Sequence, residues 1–467
     1  MPKITFKNLL TSVFLIFLTI FAFQTRLHFF KESRARTIDE IVYYRIGQQI
    51  QNDLSQYNTI PYGQDLAATG RKLPAYFFAP LFKHPPVYPI FVASSLKVFG
   101  NTINSAGYVS ILFGALIIIL TYYLGSLIYS QKVGFWAAVF MSLDPVTIIC
   151  SQKVWMDTTL SYLMLLSLVL FVQAIKYKND NLFILSGLVS GLATCTKYTG
   201  FLITIAYVIY ATVYQTELLR KKRFLLGLLM PFICLAPWIA WNINVYGLNF
   251  INTQGHLHSN RFFRSLPVII FFATFLLSTM MILWLKARDN LKAVSQAPFQ
   301  LSQRTVWIIS ALFFLTLVPQ LINALNLVYL PKVTWMQKVF SNAPFNFYFG
   351  KLLEFSLLYI FAFVAFFLFL GKNDKQQALA FVPAFIILLF FVVWRHYQSR
   401  YILPAIPLLV ISAIDLILKI FERISRIEDF LPRVMAKTIM LLILTNIIVK
   451  NYLINMYVSF PNDMAYF

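Results

Sequence analysis

Apolar stretches long enough to cross a bilayer core as a helix recur along nearly the whole chain, and they leave few folds open to it. Windows of roughly 19 residues find them near 9–25, 104–128, 133–149, 157–175, 182–196, 198–214 and 224–242. Further ones follow near 267–285, 305–325, 353–370, 378–394, 401–418 and 438–452, thirteen in all. A segment in lipid must satisfy its backbone within itself, and stretches of this length do so as helices. Hydrophobic residues make up 59% and charged ones 12%, too few charges to clothe a soluble body of 467 residues. The expected fold is an all-α polytopic membrane protein of about thirteen transmembrane helices, one unit over 1–467 with no appended soluble domain.

The net charge of +22 would suit a nucleic-acid binder, but the Lys and Arg gather in short loops between apolar stretches. Nucleic acid is therefore excluded as a partner. With the N-terminus in the cytoplasm, the N-terminal segment and the short loops on its side hold 20 Lys and Arg, Arg220 to Arg223 among them. The short loops opposite hold 10, and that asymmetry favours a cytoplasmic N-terminus and an exofacial C-terminus. The apolar run Leu9 to Phe23 follows Lys3 and Lys7 like a signal peptide, yet no small-x-small cleavage site comes after it, so it reads as an uncleaved first span. Cys150, Cys195 and Cys234 are scattered in or beside apolar segments, with no spacing that suits zinc or a disulfide framework.

The longest exofacial loop, 26–103, carries most of the chemistry-bearing residues. In TIDEIVYYRIGQQI, Thr37 and Glu40 have capping-box spacing, while Val42, Ile46, Ile50 and Leu54 recur every fourth residue. The pattern predicts an amphipathic helix lying on the outer membrane interface. Glu40 serves equally as a cap or as a catalytic acid. Asp39 has no part in a capping box and, at a helix start, stays ionised as a carboxylate base must. Farther on, Pro85 and Pro86 fix a turn that holds Lys83 and His84 at the surface, either as an anchor beside Tyr88 or against a phosphate. Asp157, Lys197 and Arg400 stand at span boundaries, where ionisable groups either snorkel or function. His256, His258, Arg261 and Arg264 crowd a later exofacial loop. On the cytoplasmic side, 419–437 places Ile420, Ile424 and Ile427 at helical spacing and predicts an amphipathic surface segment.

Taken in order, these motifs are Asp39-Glu40 with Tyr43 shortly after, HPPVYP at 84–89, Asp157 at a span start, GLATCTKYTG at 191–200 and RYILPAIPLL at 400–409. The series resembles bacterial and archaeal members of the dolichyl-phosphate-mannose protein mannosyltransferase superfamily, the GT-C type glycosyltransferases that include the aminoarabinose lipid A transferases. The resemblance spans about 37–410. It implies a multi-pass enzyme of the plasma (inner) membrane that moves a hexosyl or pentosyl group, with inversion, from a polyprenyl-phosphate sugar to an exofacial hydroxyl of a lipid, glycan or protein. By resemblance Asp39 matches the first-loop acid, as base or acceptor-positioning group, and Asp157 the second acidic position. Lys197 matches a lysine near the donor phosphate, and His84 stands where the aminoarabinose transferases have a phosphate-contacting lysine. Lys83 and Arg400 complete the expected phosphate contacts, with Tyr43, Tyr88, His258 and Arg261 as substrate-binding residues. His258, Arg261 and Phe262 look like that group's His-x-x-Arg-Phe, which implies a divalent metal at His258, although the acidic residue expected beside the proline turn is Lys83 here. The oligosaccharyltransferase motif WWDYG is absent. A multi-spanning transporter or lipid flippase is the rival reading from another class; paired half-repeats with broken helices would mark it, and none is evident.

Overall fold

A computed structural model describes residues 6–32, 37–70, 72–251, 253, 303–316, 344–372, 374–394 and 398–458. All regular structure among these residues is helical. The first span is α1 (Phe6–Glu32), followed in the long loop by α2 (Ile38–Asn52), α3 (Ile60–Ala68) and α4 (Val87–Phe99). Next come α5 (Ile103–Ile128), α6 (Gln131–Ser142), α7 (Pro145–Ser151), α8 (Asp157–Tyr177), α9 (Asn181–Thr196), α10 (Leu202–Tyr214) and α11 (Lys222–Tyr246). The C-terminal part holds α12 (Gln303–Thr316), α13 (Pro344–Phe355), α14 (Leu358–Lys372), α15 (Ala378–Val393), α16 (Ile406–Ser425) and α17 (Phe430–Val458).

Six of these segments are long and apolar enough to cross a membrane: α1, α5, α8, α11, α17, and α16 joined to the 3-10 turn Ser399–Ala405 before it. A seventh results if α6 and α7, bent by 54° at their break, count as one span. The helices α4, α9, α10, α14 and α15 are apolar but shorter. At ~1.5 Å per residue they fall below the ~30 Å of a hydrocarbon core. The apolar stretch near 267–285 lies outside the described residues, as do His256, His258, Arg261 and Arg264.

Three sequence expectations change at this level. First, α1 runs on to Glu32, so Arg26 belongs to the span and not to the loop. Its guanidinium is fully buried, donates to the carbonyls of Ala22 (3.1 Å) and Ser142 (3.5 Å), and has Asp144 as a nearby counter-charge. A cation that bonds to the C-terminal end of α6 can stay inside the bundle. Second, the apolar face of α2 does not lie on lipid. Val42, Ile46 and Ile50 are buried, and Gly47 lies so close to α4 that a Cβ there would come 2.6 Å from Val92, while Leu54 stays exposed. Packing on protein covers the same apolar stripe that a bilayer would. Third, residues 419–437 are not one surface segment: they divide between the end of α16 and the first turns of α17.

The bend between α6 and α7 has a local cause. Asp144 caps α7 by accepting from the backbone N–H and hydroxyl of Thr147 (both 2.8 Å), and Pro145 at the first helical position cannot continue α6. The bent pair thus ends early and leaves Gln152 to Met156 as a short loop before α8.

Side-chain contacts define two ends of the bundle. At one, Lys176 of α8 donates to Leu127 O of α5, Lys221 pairs with Asp180 (2.6 Å), and Lys419 stands over the Tyr129 ring. At the other lie α2, α4, the 152–156 loop, the α9–α10 connection at Lys197 and the 399–405 turn, held together by the contacts described next.

Candidate active site

The site begins with the cap of α2. Thr37 and Glu40 form the capping box: the Thr37 backbone donates to Glu40 Oε1 (2.9 Å) and the Glu40 backbone donates to Thr37 Oγ1 (3.3 Å). Glu40 does more than cap. Its second oxygen accepts from the backbone N–H of Val154 (3.1 Å), and Lys153 Nζ lies 4.0 Å from Oε1, so this buried carboxylate fastens α2 to the loop before α8. A buried carboxylate that already accepts from several backbone and side-chain donors has its lone pairs committed to those bonds. Of the two parts expected of Glu40, the capping contacts are the ones present.

Asp39, one residue earlier, points the other way. Its Oδ2 accepts from Arg400 Nη2 at 2.9 Å, across 361 residues of sequence. The Asp39 side chain remains 44% exposed, whereas those of Arg400 (12%) and Asp157 (3%) are sequestered, so of the two carboxylates only Asp39 is open to an incoming molecule. Partial burial works against ionisation of Asp39. The charge and hydrogen bond of Arg400, helped by Lys83 and Lys197, outweigh it and hold the carboxyl below its ordinary pKa.

Asp157 opens α8, where the helix dipole favours a negative charge. Its Oδ1 accepts from Lys197 Nζ at 2.9 Å, and its Oδ2 lies 3.8 Å from Arg400 Nε. Lys197 sits at the C-terminus of α9, where the chain turns extended into the 3-10 turn Tyr198–Phe201, with its ammonium 4.4 Å above the Tyr401 ring. Arg400 enters from the 399–405 turn; its Nε donates to Gln398 Oε1 (2.6 Å) and its guanidinium lies over the Trp155 ring at 4.2 Å. The result is a continuous alternation of charge, Asp39–Arg400–Asp157–Lys197, drawn from four separate parts of the chain.

Lys83 and His84 border this row on the loop side. Lys83 Nζ lies 3.8 Å over the Tyr76 ring and is close enough to Asp39 for their charges to interact. Burial lowers its pKa to about 8; Asp39 opposes that shift, and Arg400 and Lys197 add to it. The turn itself is pinned by Tyr57, whose hydroxyl donates to the carbonyls of His84 (3.0 Å) and Pro85 (3.3 Å), while the His84 ring packs edge-on to Phe82. The two tyrosines expected at the substrate are inside. Tyr88 is fully buried with its hydroxyl on Ser110 Oγ (3.0 Å), and Tyr43 packs edge-on to both Tyr88 and Phe82. Their rings form the platform beneath the loop.

Sequence reasoning on Asp39, Asp157, Lys197, Arg400 and Lys83 named groups that the fold brings together. It missed Trp155 and Gln398, which contact Arg400, and the tie from Glu40 to Val154. Trp155 stands two residues before Asp157, a signal that proximity alone offered. Among the described residues no three His, Cys, Asp or Glu side chains gather as a metal would require, and His258 lies outside them.

Residues 83–241, about a third of the chain, match the family model described as dolichyl-phosphate-mannose-protein mannosyltransferase. The resemblance drawn from the motifs is borne out over that stretch. No curated protein matches by sequence. By structure, the apo oligosaccharyltransferase of Archaeoglobus fulgidus superposes on 98% of this chain with a TM-score of 0.58 and 14% identity. The archaeal oligosaccharyltransferase AglB, also from Archaeoglobus fulgidus, in complex with an inhibitory peptide and a dolichol-phosphate, superposes on 96% with a TM-score of 0.53 and 14% identity. This chain spans 57% and 56% of those two chains, and at such identity what is shared is the fold alone. ArnT from Cupriavidus metallidurans bound to undecaprenyl phosphate aligns over 88% of this chain and 81% of its own, at 16% identity and a TM-score of 0.42, too loose a fit to carry an argument.

Proposed function

We propose that this protein is a membrane glycosyltransferase that moves a sugar, with inversion, from a polyprenyl-phosphate donor to an acceptor hydroxyl. The observation that carries the reading is the charge row at one end of the bundle: a half-exposed carboxylate held ionised beside two cations that share one buried counter-charge, Asp157. Such a row meets the needs of transfer from a lipid phosphate, which are a base for the acceptor and positive charge for the leaving group. The family match over 83–241 supports the same donor class.

In this mechanism Asp39 takes the proton from the acceptor hydroxyl as its oxygen bonds to the anomeric carbon. The bond from that carbon to the phosphate oxygen breaks with its electron pair, and the departing polyprenyl phosphate gains a negative charge. Arg400, Lys197 and Lys83, with His84 at the turn, stabilise that charge. Asp157 keeps the two cations in register. The acceptor is a hydroxyl of a lipid, glycan or protein, and the sugar a hexosyl or pentosyl group. In the full topology the chain crosses about thirteen times, with a cytoplasmic N-terminus, an exofacial C-terminus and the Asp39 end facing outward.

Purified protein incubated with a panel of polyprenyl-phosphate sugars is expected to release polyprenyl phosphate from one of them. Movement of the intact lipid-linked sugar across proteoliposomes, with no release from any donor, would instead make the protein a flippase and end this reading.

A further inference from the structure

The base and its cation come from opposite ends of the sequence, and one ring touches the supports of both. Trp155 is 3% exposed. Its ring lies under the Arg400 guanidinium at 4.2 Å, and its Nε1–H donates to Thr37 Oγ1 at 3.1 Å, the N-cap hydroxyl two residues before Asp39. Arg400 in turn donates to Asp39, so the contacts close a circuit through Trp155, Thr37, Asp39 and Arg400. The tryptophan is itself immobilised: its carbonyl accepts from Ser110 Oγ (3.0 Å), and the preceding Val154 N–H is bonded to Glu40.

We propose that Trp155 is a positioning residue of the transfer reaction, a single indole that sets the Arg400 cation and the Asp39 carboxylate in register by stacking on the one and hydrogen-bonding the cap of the other. The proposal rests on the reading of Asp39 as the base, but its geometry does not need turnover to be tested. An aromatic face holds a guanidinium in a plane without competing for its N–H groups, which leaves them to the carboxylates and to an incoming phosphate. A carboxylate in that place would hold Arg400 more strongly and would also spend its donors. Loss of the ring frees the guanidinium to swing, and Asp39 then loses part of the charge that keeps it ionised.

The test is the pH dependence of carbodiimide labelling of Asp39, read by peptide mass spectrometry, since the reagent takes the protonated carboxyl. In Trp155→Leu the labelling midpoint is expected to rise by about one pH unit over wild type, while the exposed Asp53 at the far end of α2 keeps its midpoint. Trp155→Phe, which keeps a ring and loses only the bond to Thr37, moves Asp39 the same way by a smaller step. An unchanged Asp39 midpoint in folded Trp155→Leu overturns the proposal, and should that protein fail to fold, an unchanged midpoint in Trp155→Phe does so. With a donor that wild type turns over, kcat falls in both variants and KM holds. A wild type that releases no polyprenyl phosphate counts against the transferase reading alone, because the labelling result stands without it.

Discussion

Arg400 is the residue on which the site turns, because it contacts both carboxylates. Its planar fork spans Asp39 and Asp157 from a stacked position over Trp155. An ammonium, a point charge without a plane, has neither the fork that spans the two carboxylates nor the flat face that stacks on Trp155. Arg400→Lys is therefore expected to lower the rate of polyprenyl phosphate release by about 100-fold with the protein still folded. Asp39→Asn removes the proton acceptor and keeps the shape; a drop of about 100-fold to 10,000-fold is expected, and unchanged turnover would sink the assignment. The lowered pKa of Asp39 sets the acid side of the profile. A depressed carboxyl stays ionised until the pH falls through its folded value, so activity persists to the acid side of the ordinary carboxylate range. Lys83 sets the alkaline side. With its pKa near about 8, its charge is present below that pH and lost above it, so the affinity for undecaprenyl phosphate is expected to fall as pH rises through about 8. In Lys83→Met that step disappears from the binding curve.

At the scale of elements, α2 is placed by its cap and by its fit on α4. Glu40 accepts from the backbones of Thr37 and Val154 and from the Thr37 hydroxyl, and pairs with the Lys153 ammonium at 4.0 Å. Glu40→Ala leaves buried N–H groups unmet and is expected to cost about 2 kcal/mol, seen as a lower midpoint of thermal unfolding in detergent. The helix α9, which delivers Lys197, is placed by backbone contact. A Cβ on Gly187 would come within 2.0 Å of the Gly227 carbonyl oxygen in α11, and one on Gly227 within 2.4 Å of the Phe183 carbonyl oxygen. Small residues allow this approach, and lipid offers no hydrophobic force in its stead. Gly187→Val is expected to push α9 from α11, lowering thermal stability by about 1 to 3 kcal/mol and moving Lys197 away from Asp157.

For the whole molecule, the charge row and the basic residues Lys176, Lys221 and Lys419 occupy opposite ends. Positive-inside asymmetry and the proposed chemistry then agree on one orientation. A single cysteine placed at Asn101, beside α2, is expected to react with a membrane-impermeant maleimide in intact cells. One placed at Glu217, in the basic loop, is expected to react only after the membrane is opened. The reverse pattern would put the site in the cytoplasm and end the exofacial assignment.

Hydrophobic runs and their charged punctuation were enough to determine a helical membrane protein, because lipid admits few backbone solutions and the apolar lengths select among them. Local chemistry was equally legible: the Thr37–Glu40 cap, the proline break at Lys83 to Pro86, and the ionisable groups at span ends where they cost least. Residue types and their places thus identified Asp39, Asp157, Lys197 and Arg400 one at a time. Only the tertiary structure decided their partners, since the bond from Arg400 to Asp39 closes 361 residues of chain and no periodicity encodes such a contact. It decided as well that the apolar face of α2 meets α4 and not lipid, because an apolar stripe specifies burial without specifying what buries it. It showed as well that Glu40 bonds to Val154 and that Trp155 lies against Arg400, contacts that depend on what surrounds a side chain and not on its place in the sequence.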